Sequence, residues 1–273
     1  MKTIVITGAS DGIGAAAARQ LHNDGATVVI VGRSPERTKA IADELGVQHY
    51  IADFSDLESV RKLATNLRRD YKKIDVLINN AGGIFGKREV SHDGHEMTLQ
   101  VNHLAPFLLT TLLMDVLIAS NATIINTSSI ANKVFSRFDI NDLENENRYS
   151  PESAYGNAKL ENILFTKELH NRYHESGVSS VALHPGNVAT SFAKNSTSFL
   201  RFLYNTILKK IILISPEKGA DTIVWLASTT PGVDWESGQY YIKRQLSHQV
   251  NPVALDPQIA KELWEWSEKA VRQ

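Results

Sequence analysis

Short apolar runs alternate with longer amphipathic stretches along most of the chain. Residues 3–7 and 27–31 have the length and residue types of buried strands, and residues 15–21 between them have those of a helix. Similar strand-like runs follow at residues 47–51, 74–78, 122–126, 178–184 and 239–242. This alternation predicts an α/β fold: a doubly wound parallel sheet with helices on both faces, forming one domain over residues 1–273.

Apolar residues at helical spacing fill the segments between the predicted strands. The predicted helices include residues 55–71, 94–104, 106–118, 217–227 and 257–270. A further helix carries Tyr155, because no Gly or Pro interrupts residues 158–176.

Composition and charge narrow the class of protein. The chain is 42% hydrophobic and 22% charged, which is enough apolar material for a sizeable core. A formal net charge of -1 gives no electrostatic reason to expect nucleic acid as a partner. Cysteine is absent, which excludes disulfides and thiolate catalysis and fits a reducing compartment. The first apolar run is too short for a signal peptide or membrane span, so we expect a cytoplasmic protein without a membrane span.

Glycines follow the first predicted strand at once, in the spacing T-G-x-x-x-G-x-G. Gly8 and Gly12 would form a tight turn, and Gly14 would let the next helix pack closely on the sheet. Backbone N–H groups and the helix dipole favour a phosphate at such a turn. We therefore expect a bound dinucleotide rather than a ligand-free turn. The expected contacts in this loop are Gly8, Ser10, Asp11, Gly12, Ile13 and Gly14.

The end of the second strand indicates which dinucleotide binds. Arg33 and Ser34 offer a guanidinium and a hydroxyl, which suit the 2′-phosphate of NADP(H), whereas an acidic residue would suit NAD(H). NADP(H) is therefore the predicted cofactor, and NAD(H) is less favoured. The alternative is a solvated Arg33 ahead of the helix that begins at Pro35. Asp11 either repels a phosphate or caps the helix that follows it.

Polar residues follow three more predicted strands. Asp53 and Phe54 follow the third strand, Asn79-Asn80-Ala81-Gly82 end the fourth, and Thr127-Ser128-Ser129 end the fifth. Ligands of an open parallel sheet lie along the carboxyl ends of its strands. These residues should therefore share one edge with the glycine loop.

Tyr155 and Lys159 are four residues apart on a predicted helix and share one face. The unperturbed pKa of tyrosine is about 10, and a nearby ammonium lowers it by stabilising the phenolate. Such a pair can exchange protons with an alcohol or a carbonyl. On an ordinary amphipathic helix the same spacing marks only a solvated face, so the pair depends on the motifs around it.

In order and spacing, these motifs resemble those of the short-chain dehydrogenase/reductase family. The resembling motifs are Thr7-Gly8-x-x-x-Gly12-Ile13-Gly14, Asn79-Asn80-Ala81-Gly82, Ser128-Ser129, Tyr155-x-x-x-Lys159 and Pro185-Gly186, and they span nearly the whole chain. Residues 101–107, 159–166 and 215–220 are similar to the retinol-dehydrogenase-like branch. The resemblance implies a Rossmann fold and a hydride transfer between a nicotinamide cofactor and an alcohol or carbonyl.

The resemblance also implies roles for single residues. Tyr155 would be the general acid in reduction and the base in oxidation, and Ser129 would hydrogen-bond the substrate oxygen. Lys159 would hold the nicotinamide ribose. Asn102 matches the fourth member of the family's tetrad, where the amide fixes a water. The remaining implied cofactor contacts are Arg33, Asp53, Phe54, Asn80, Ala81, Gly82, Tyr155, Lys159, Pro185, Gly186, Val188 and Thr190.

Three features keep alternatives open. The family places a substrate lid at about residues 191–215, but the amphipathic pattern of residues 192–214 also fits a core helix or a membrane-surface helix. His92, His95 and Glu96 lack a further ligand at recognisable spacing, so we predict a solvated helix start and no metal site. The apolar faces of residues 104–118 and 154–173 serve either a homodimer or a monomer's core.

We therefore expect an NADP(H)-dependent oxidoreductase that interconverts a carbonyl and an alcohol on an apolar small molecule, in the direction of reduction. One alternative is a non-catalytic NADP-sensing protein of the same fold, which would bind a partner. A sugar-nucleotide epimerase or dehydratase is another, although the larger relatives with that chemistry usually have a different glycine spacing.

Overall fold

A sheet of eight strands forms the centre of the protein, for which the computed structural model describes residues 1–186 and 214–272. In chain order the strands are β1 (Thr3–Thr7), β2 (Thr27–Gly32), β3 (Gln48–Ile51), β4 (Val76–Asn79), β5 (Thr123–Thr127), β6 (Ser179–His184), β7 (Gln239–Ile242) and β8 (Gln245–Leu246). They lie in the order β3-β2-β1-β4-β5-β6-β7-β8, and only β7 and β8 pair antiparallel. The chain changes direction across the sheet between β1 and β4, where doubly wound sheets bind ligands. The predicted fold class and single domain are confirmed.

Helices connect the strands and cover both faces of the sheet. They are α1 (Gly12–Asn23), α2 (Pro35–Leu45), α3 (Leu57–Asp70), α4 (Met97–Leu99), α5 (Ala105–Leu112), α6 (Met114–Ala119), α7 (Ala131–Val134), α8 (Pro151–Tyr173), α9 (Pro216–Ser228) and α10 (Pro257–Ala270). A π-helix, Gln100–Leu104, joins α4 to α5, and a 3₁₀-helix, Pro252–Leu255, precedes α10.

Local sequence explains where several helices begin. Ser34 and Ser150 cap α2 and α8, and each is followed by a proline at the first helical position. Their side-chain oxygens accept hydrogen bonds from backbone N–H groups that have no partner within the helix. Proline has no N–H to lose there, and its fixed φ suits the first turn. These Ser-Pro pairs therefore set the start of each helix.

The strand side chains alternate between two cores. Val5 of β1 packs on one face with Leu67 and Phe107, while its neighbours Ile4 and Ile6 pack on the other face. Successive side chains of a strand point to opposite faces, so both must be apolar where helices cover both sides. This double coverage explains why β1, β2 and β4 are almost continuously apolar.

The structure differs from the sequence predictions between residues 94 and 118. The helix predicted over residues 94–104 begins only at Met97 and becomes a π-helix at Gln100. The solvated helix start predicted at His92, His95 and Glu96 is wrong for the last two, which are 7% and 0% exposed. The Glu96 carboxylate caps α4 by accepting hydrogen bonds from Thr98 N and Leu99 N. His95 pairs with Glu144 at 2.8 Å.

Some predictions concern residues outside the described ranges. Val188, Thr190 and all of the predicted lid except Ile214 and Ser215 fall there. No helix within residues 1–186 and 214–272 is long and apolar enough to cross a membrane. The same residues contain no group of three or more His, Cys, Asp or Glu side chains placed to hold a metal ion.

Candidate active site

The glycine loop lies at the junction of β1 and α1, against the turn that follows β4. Gly8 has a φ of +65°, and a Cβ there would lie only 2.8 Å from Ala81 Cα. Both the backbone conformation and the close approach therefore require glycine. Asn80 holds the two turns together, because its Nδ2 donates to Thr7 O at 3.0 Å and to Gly8 O at 3.3 Å.

Thr7 is a second connection between these turns, and sequence reasoning missed it. Its Oγ1 accepts hydrogen bonds from Asn80 N and Ala81 N, both at 3.0 Å, and donates to Ile78 O. The residue is fully buried. The available signal was a small hydroxyl side chain at the end of β1, but its partners lie 73 and 74 positions further along the chain.

The loop has the properties that a dinucleotide phosphate needs. Asp11 caps α1 by accepting a hydrogen bond from Gly12 N at 2.7 Å, so the capping alternative for this residue is the one observed. Other N–H groups in the first turn of α1 have no partner within the helix and lie at its positive end. Ile13 and Gly14 lie in this turn, and Ser10 precedes the cap. The residues present therefore fit a bound pyrophosphate.

A pair of arginines lies beside the loop at the start of α2. Arg33 follows β2 and is exposed. Arg37, one turn into α2, lies 3.4 Å from the Asp11 carboxylate through its Nη1. A Cβ at Gly32 would lie 2.9 Å from Ser10 Cβ, so the end of β2 touches the glycine loop. This end of the site carries positive charge that partly offsets Asp11.

Asp53 and Phe54 follow β3 on the same edge of the sheet. Asp53 Oδ1 accepts hydrogen bonds from Ser55 N at 3.0 Å and Ser55 Oγ at 2.7 Å, which forms a tight turn. The Phe54 side chain is 5% exposed and belongs to the core. Contact of Phe54 with a cofactor is therefore left to its backbone.

Tyr155 and Lys159 share one face of α8, as predicted. Lys159 Nζ lies 5.4 Å from the centre of the Tyr155 ring and donates a hydrogen bond to Thr127 O at 3.1 Å. Lys159 is 2% exposed, and burial lowers the pKa of its ammonium from 10.5 to about 7. The lysine can therefore both stabilise a phenolate and exchange a proton near neutral pH.

Ser128 and Ser129 end β5 beside this pair but have different environments. Ser128 is buried, and its Oγ donates to Lys159 O at 2.6 Å, which is a structural contact within the fold. Ser129 is half-buried, and its Oγ accepts a hydrogen bond from Ala131 N at 3.2 Å. Because the Ser129 oxygen is an acceptor there, its own proton is left to donate elsewhere.

Asn102 lies in the middle of the π-helix and is fully buried. Its Nδ2 donates to Thr98 O and Gly83 O, each at 2.8 Å, and its Oδ1 accepts from Gly83 N at 3.2 Å. A Cβ built on Gly82 would lie 2.5 Å from Asn102 Oδ1 and 3.3 Å from Lys159 Nζ. The turn after β4 therefore brings the asparagine and the lysine to a common point.

Pro185 and Gly186 follow β6 and are the last residues of the first described range. Gly186 has a φ of +93°, and a Cβ there would meet the Ile214 side chain at 2.6 Å. His184, the last residue of β6, is half-buried, and burial lowers the pKa of its imidazole to about 4. It is therefore neutral at physiological pH.

Together, the switch point of the sheet, the glycine turn and the buried lysine beside a tyrosine are typical of an α/β protein that binds a dinucleotide at this edge. The family model described as short chain dehydrogenase matches residues 2–200. The chain belongs to the short-chain dehydrogenase/reductase family. It is an oxidoreductase that acts on CH–OH groups.

Individual relatives narrow the branch. The chain is 42% identical over 277 residues to a Streptomyces (strain C5) protein named as a candidate daunorubicin C-13 ketoreductase, covering 99% of this chain and 92% of the relative. It is 36% identical over 274 residues to human retinol dehydrogenase 11, covering 97% of this chain and 84% of the relative. The predicted retinol-dehydrogenase-like branch is therefore confirmed.

Solved structures agree with the fold. An uncharacterised protein from Mycobacterium paratuberculosis has 30% sequence identity and a TM-score of 0.77, with 100% of this chain and 94% of that chain covered. An alcohol dehydrogenase from the archaeon Thermococcus sibiricus, complexed with 5-hydroxy-NADP, has 25% identity and a TM-score of 0.68, with 92% and 99% covered.

Proposed function

We propose that the protein uses NADP(H) to interconvert a carbonyl and an alcohol on an apolar small molecule, through Ser129, Tyr155 and Lys159. The observation that carries the proposal is the buried Lys159 ammonium 5.4 Å from the Tyr155 ring, on the sheet edge that also carries the glycine loop. An ion-stabilised phenol at this edge suits proton transfer to an oxygen next to a bound nicotinamide.

The residues divide the work in reduction as follows. Tyr155 donates a proton to the substrate oxygen, and Ser129 donates a hydrogen bond to the same oxygen as negative charge develops on it. Lys159 stabilises the resulting phenolate, and Asn102 fixes the turn that brackets the lysine. Bound NADPH supplies the hydride. Binding and orientation of both reactants are the remaining tasks of the protein.

Cofactor contacts are proposed for the residues that line this edge of the sheet. The turns around Gly8–Gly14 and Asn80–Gly82 would hold the phosphates and one ribose, and Pro185 and Gly186 would contact the nicotinamide. The roles of Val188 and Thr190 in binding the nicotinamide carboxamide stay predictions.

Replacing the Tyr155 hydroxyl tests catalysis directly. We expect Tyr155→Phe to lower turnover of aliphatic and aromatic ketones by at least about 100-fold, the usual contribution of a general acid. The Kd for NADPH, measured by fluorescence titration, should stay within twofold of the wild-type value.

Tyr50→Phe is the matched control, because the Tyr50 hydroxyl bonds the Asp70 carboxylate and is not among the proposed catalytic groups. Its turnover should equal that of the wild type. Full turnover in Tyr155→Phe would refute the assigned role of the tyrosine. Absence of wild-type turnover on the whole carbonyl panel, with tight NADPH binding retained, would favour a non-catalytic NADP sensor.

Preference for NADP(H) over NAD(H) is proposed from the charges beside the glycine loop. Arg33 is exposed at the end of β2, and Arg37 lies within ion-pair distance of Asp11. Two guanidinium groups can bind a 2′-phosphate, and Arg37 also offsets the carboxylate that would otherwise repel it.

Titrations with NADPH and NADH test this preference. We expect the wild type to bind NADPH at least tenfold more tightly, which equals about 1.4 kcal/mol. Arg33→Ala should remove most of that preference and leave NADH binding unchanged. Arg68→Ala, which breaks a surface pair with Asp115, should preserve it. Equal affinity of the wild type for both cofactors would reject the NADP(H) assignment.

An apolar substrate is supported by two exposed side chains next to Ser129. Val134 and Phe135 are 61% and 41% exposed, although both are large and hydrophobic. They lie at the end of α7, within one to two turns of Ser129. A bulky apolar carbonyl compound bound there would cover them. A large aromatic ketone should therefore be reduced with a lower KM than acetone.

The proposal also covers the direction of the reaction, the location of the protein and its assembly. Reduction is the proposed direction, because cytosolic NADP pools are held reduced. The cytoplasm is the proposed compartment, which the absence of cysteine fits. A homodimer is proposed by resemblance alone. Cell fractionation and light scattering of the purified protein address location and assembly separately.

A further inference from the structure

Asn132 lies in α7, three residues after Ser129, and has no exposed surface. A fully buried amide normally has hydrogen-bond partners, since an unpaired polar group in the interior is costly. The sequence assigned this residue no role. Its partners place it at the turn that carries Ser129.

Asn132 makes two hydrogen bonds that tie distant segments together. Its Nδ2 donates to Ser129 O at 2.6 Å. Its Oδ1 accepts from Asn251 N at 3.0 Å, across 119 positions of sequence. The amide therefore fixes the backbone of Ser129 to the segment that precedes α10, which no contact within the turn itself can do.

A phenol behind the site completes this environment. Tyr240 on β7 is 3% exposed, and burial together with nearby Tyr155 raises the pKa of its hydroxyl. The Tyr240 hydroxyl lies near the Asn132 side chain and has no hydrogen-bond partner among residues 1–186 and 214–272. The phenol of Tyr240 is therefore a titratable group close to the amide, and Tyr155 is in turn close to Tyr240. Asn132 therefore bonds the backbone of Ser129 on one side and lies near Tyr240, a neighbour of Tyr155, on the other.

We propose that Asn132 is a positioning residue that aligns the Ser129 hydroxyl with Tyr155 for carbonyl reduction. The proposal rests on the proposed function of Ser129 and Tyr155. The Ser129 Oγ accepts from Ala131 N, so the direction of its proton depends on the conformation of residues 129–131. Asn132 holds that conformation through Ser129 O. Ser129 O also accepts from the backbone N of Asn132 at 3.0 Å, so without the side-chain bond only this local bond restrains Ser129 O, and the hydroxyl can be misdirected.

Two substitutions separate positioning from general support. Asn132→Leu removes both hydrogen bonds, and we expect kcat for ketone reduction to fall about 10- to 100-fold, as small misplacements of catalytic groups do. Asn132→Asp keeps an acceptor for Asn251 N, but an ionised carboxylate cannot donate to Ser129 O. A protonated carboxyl can donate. The activity of Asn132→Asp relative to wild type should therefore rise as the pH is lowered from 8 to 5, whereas that of Asn132→Leu should stay flat.

Asn145→Asp is the control, since Asn145 is also a buried amide, 4% exposed, and bonds Leu143 O and Asn157 away from Ser129. It should show no pH-dependent recovery. Wild-type kcat in Asn132→Leu would overturn the proposal. A drop in NADPH affinity equal to the drop in kcat would also overturn it, because that result indicates general loss of structure.

Amide hydrogen exchange gives a readout that does not depend on turnover. The backbone N–H of Ala131 donates a hydrogen bond to the Ser129 hydroxyl. Asn132→Leu should therefore raise the rate of amide hydrogen exchange in the peptide containing residues 129–132 about tenfold, while the amides of β1 stay protected. Unchanged exchange there would reject the positioning role even if the wild type reduces no carbonyl. If the wild type reduces no carbonyl but Asn132→Leu shows the expected faster exchange, only the proposed function is refuted.

Discussion

Gly82 lies where the turn after β4 passes between the Asn102 amide and the Lys159 ammonium. A methyl group there would lie 2.5 Å from Asn102 Oδ1, closer than van der Waals contact allows, and 3.3 Å from Lys159 Nζ. Either the asparagine or the turn must move in Gly82→Ala. Because displacement of about 1 Å can cost 100-fold in rate, we expect kcat to fall by roughly 10- to 100-fold. Steady-state kinetics with saturating NADPH would measure it.

Gly83 offers a matched control one position along. A Cβ there first meets the Phe85 ring at 3.3 Å, and this side chain is free to shift slightly. The Gly83 backbone bonds to Asn102 are kept by alanine. Gly83→Ala should therefore retain kcat within about threefold. Equal losses in both variants would show that the turn as a whole, not the contact with Asn102, limits the rate.

Residues whose chemistry is local were predictable, and residues whose partners are distant were not. Tyr155 and Lys159 share a face because of helical spacing alone, and the structure places them together. Thr7 and Asn132 act through partners 74 and 119 positions away, which no sequence pattern indicates. The same reason explains the wrong prediction for His95, whose buried surroundings come from Glu144 and Ala270.

At the scale of elements, helix starts were predictable where a cap and a proline coincide. The terminal helix begins at Pro257 after the cap Asp256 and ends at Ala270, as predicted. The fourth strand, by contrast, was predicted at residues 74–78 and is observed at Val76–Asn79. The backbone of Asp75 hydrogen-bonds Thr3 at the start of β1 and Thr123 at the start of β5. These partners are set by the register of strand pairing, which therefore decides where β4 begins.

The π-helix at Gln100–Leu104 is the element that sequence reasoning missed at the site. Its extra residue per turn interrupts regular helical bonding and leaves Thr98 O to accept from the Asn102 side chain. Nothing in the residue types of this segment distinguishes it from an ordinary helix. The bonds from Asn102 to both backbone groups of Gly83 stabilise it, so its position depends on the turn after β4.

At the scale of the whole molecule, α10 packs on α5 and α8, whose apolar faces were predicted to form either a dimer interface or a monomer's core. Trp264 packs edge-on against Phe107 of α5 at 4.9 Å and lies 5.7 Å from Phe165 of α8. The guanidinium of Arg172 lies over the same indole at 4.6 Å. These apolar faces of α5 and α8 are therefore occupied within one chain. The homodimer stays a prediction that must use other surfaces.

A buried group of acids lies where α8 meets the segment before α4. Glu161 is 1% exposed, and its Oε2 has no hydrogen-bond partner among residues 1–186 and 214–272. Burial, and then the nearby carboxylates of Glu96 and Glu144, raise the pKa of Glu161 well above its usual value. Burial likewise raises the pKa of Glu96. Both carboxyl groups therefore bind a proton more tightly in the folded protein than in the unfolded chain.

This proton uptake predicts how the stability of the whole molecule depends on pH. A carboxyl whose pKa is higher in the folded state binds more protons there, so its contribution falls as the pH rises from its unfolded pKa of about 4.5 toward its folded value. Glu161→Gln removes the ionisable group and keeps the shape. We expect the variant to match the wild type near pH 5 and to exceed its unfolding free energy by roughly 1–3 kcal/mol at pH 8. Urea denaturation at several pH values measures this difference.

Glu168→Gln is the control on the same helix, because the Glu168 carboxylate is paired with Arg172 at 2.7 Å. This variant should be less stable than the wild type at pH 8. Parallel pH profiles of the wild type and Glu161→Gln would mean that folding does not raise the pKa of Glu161.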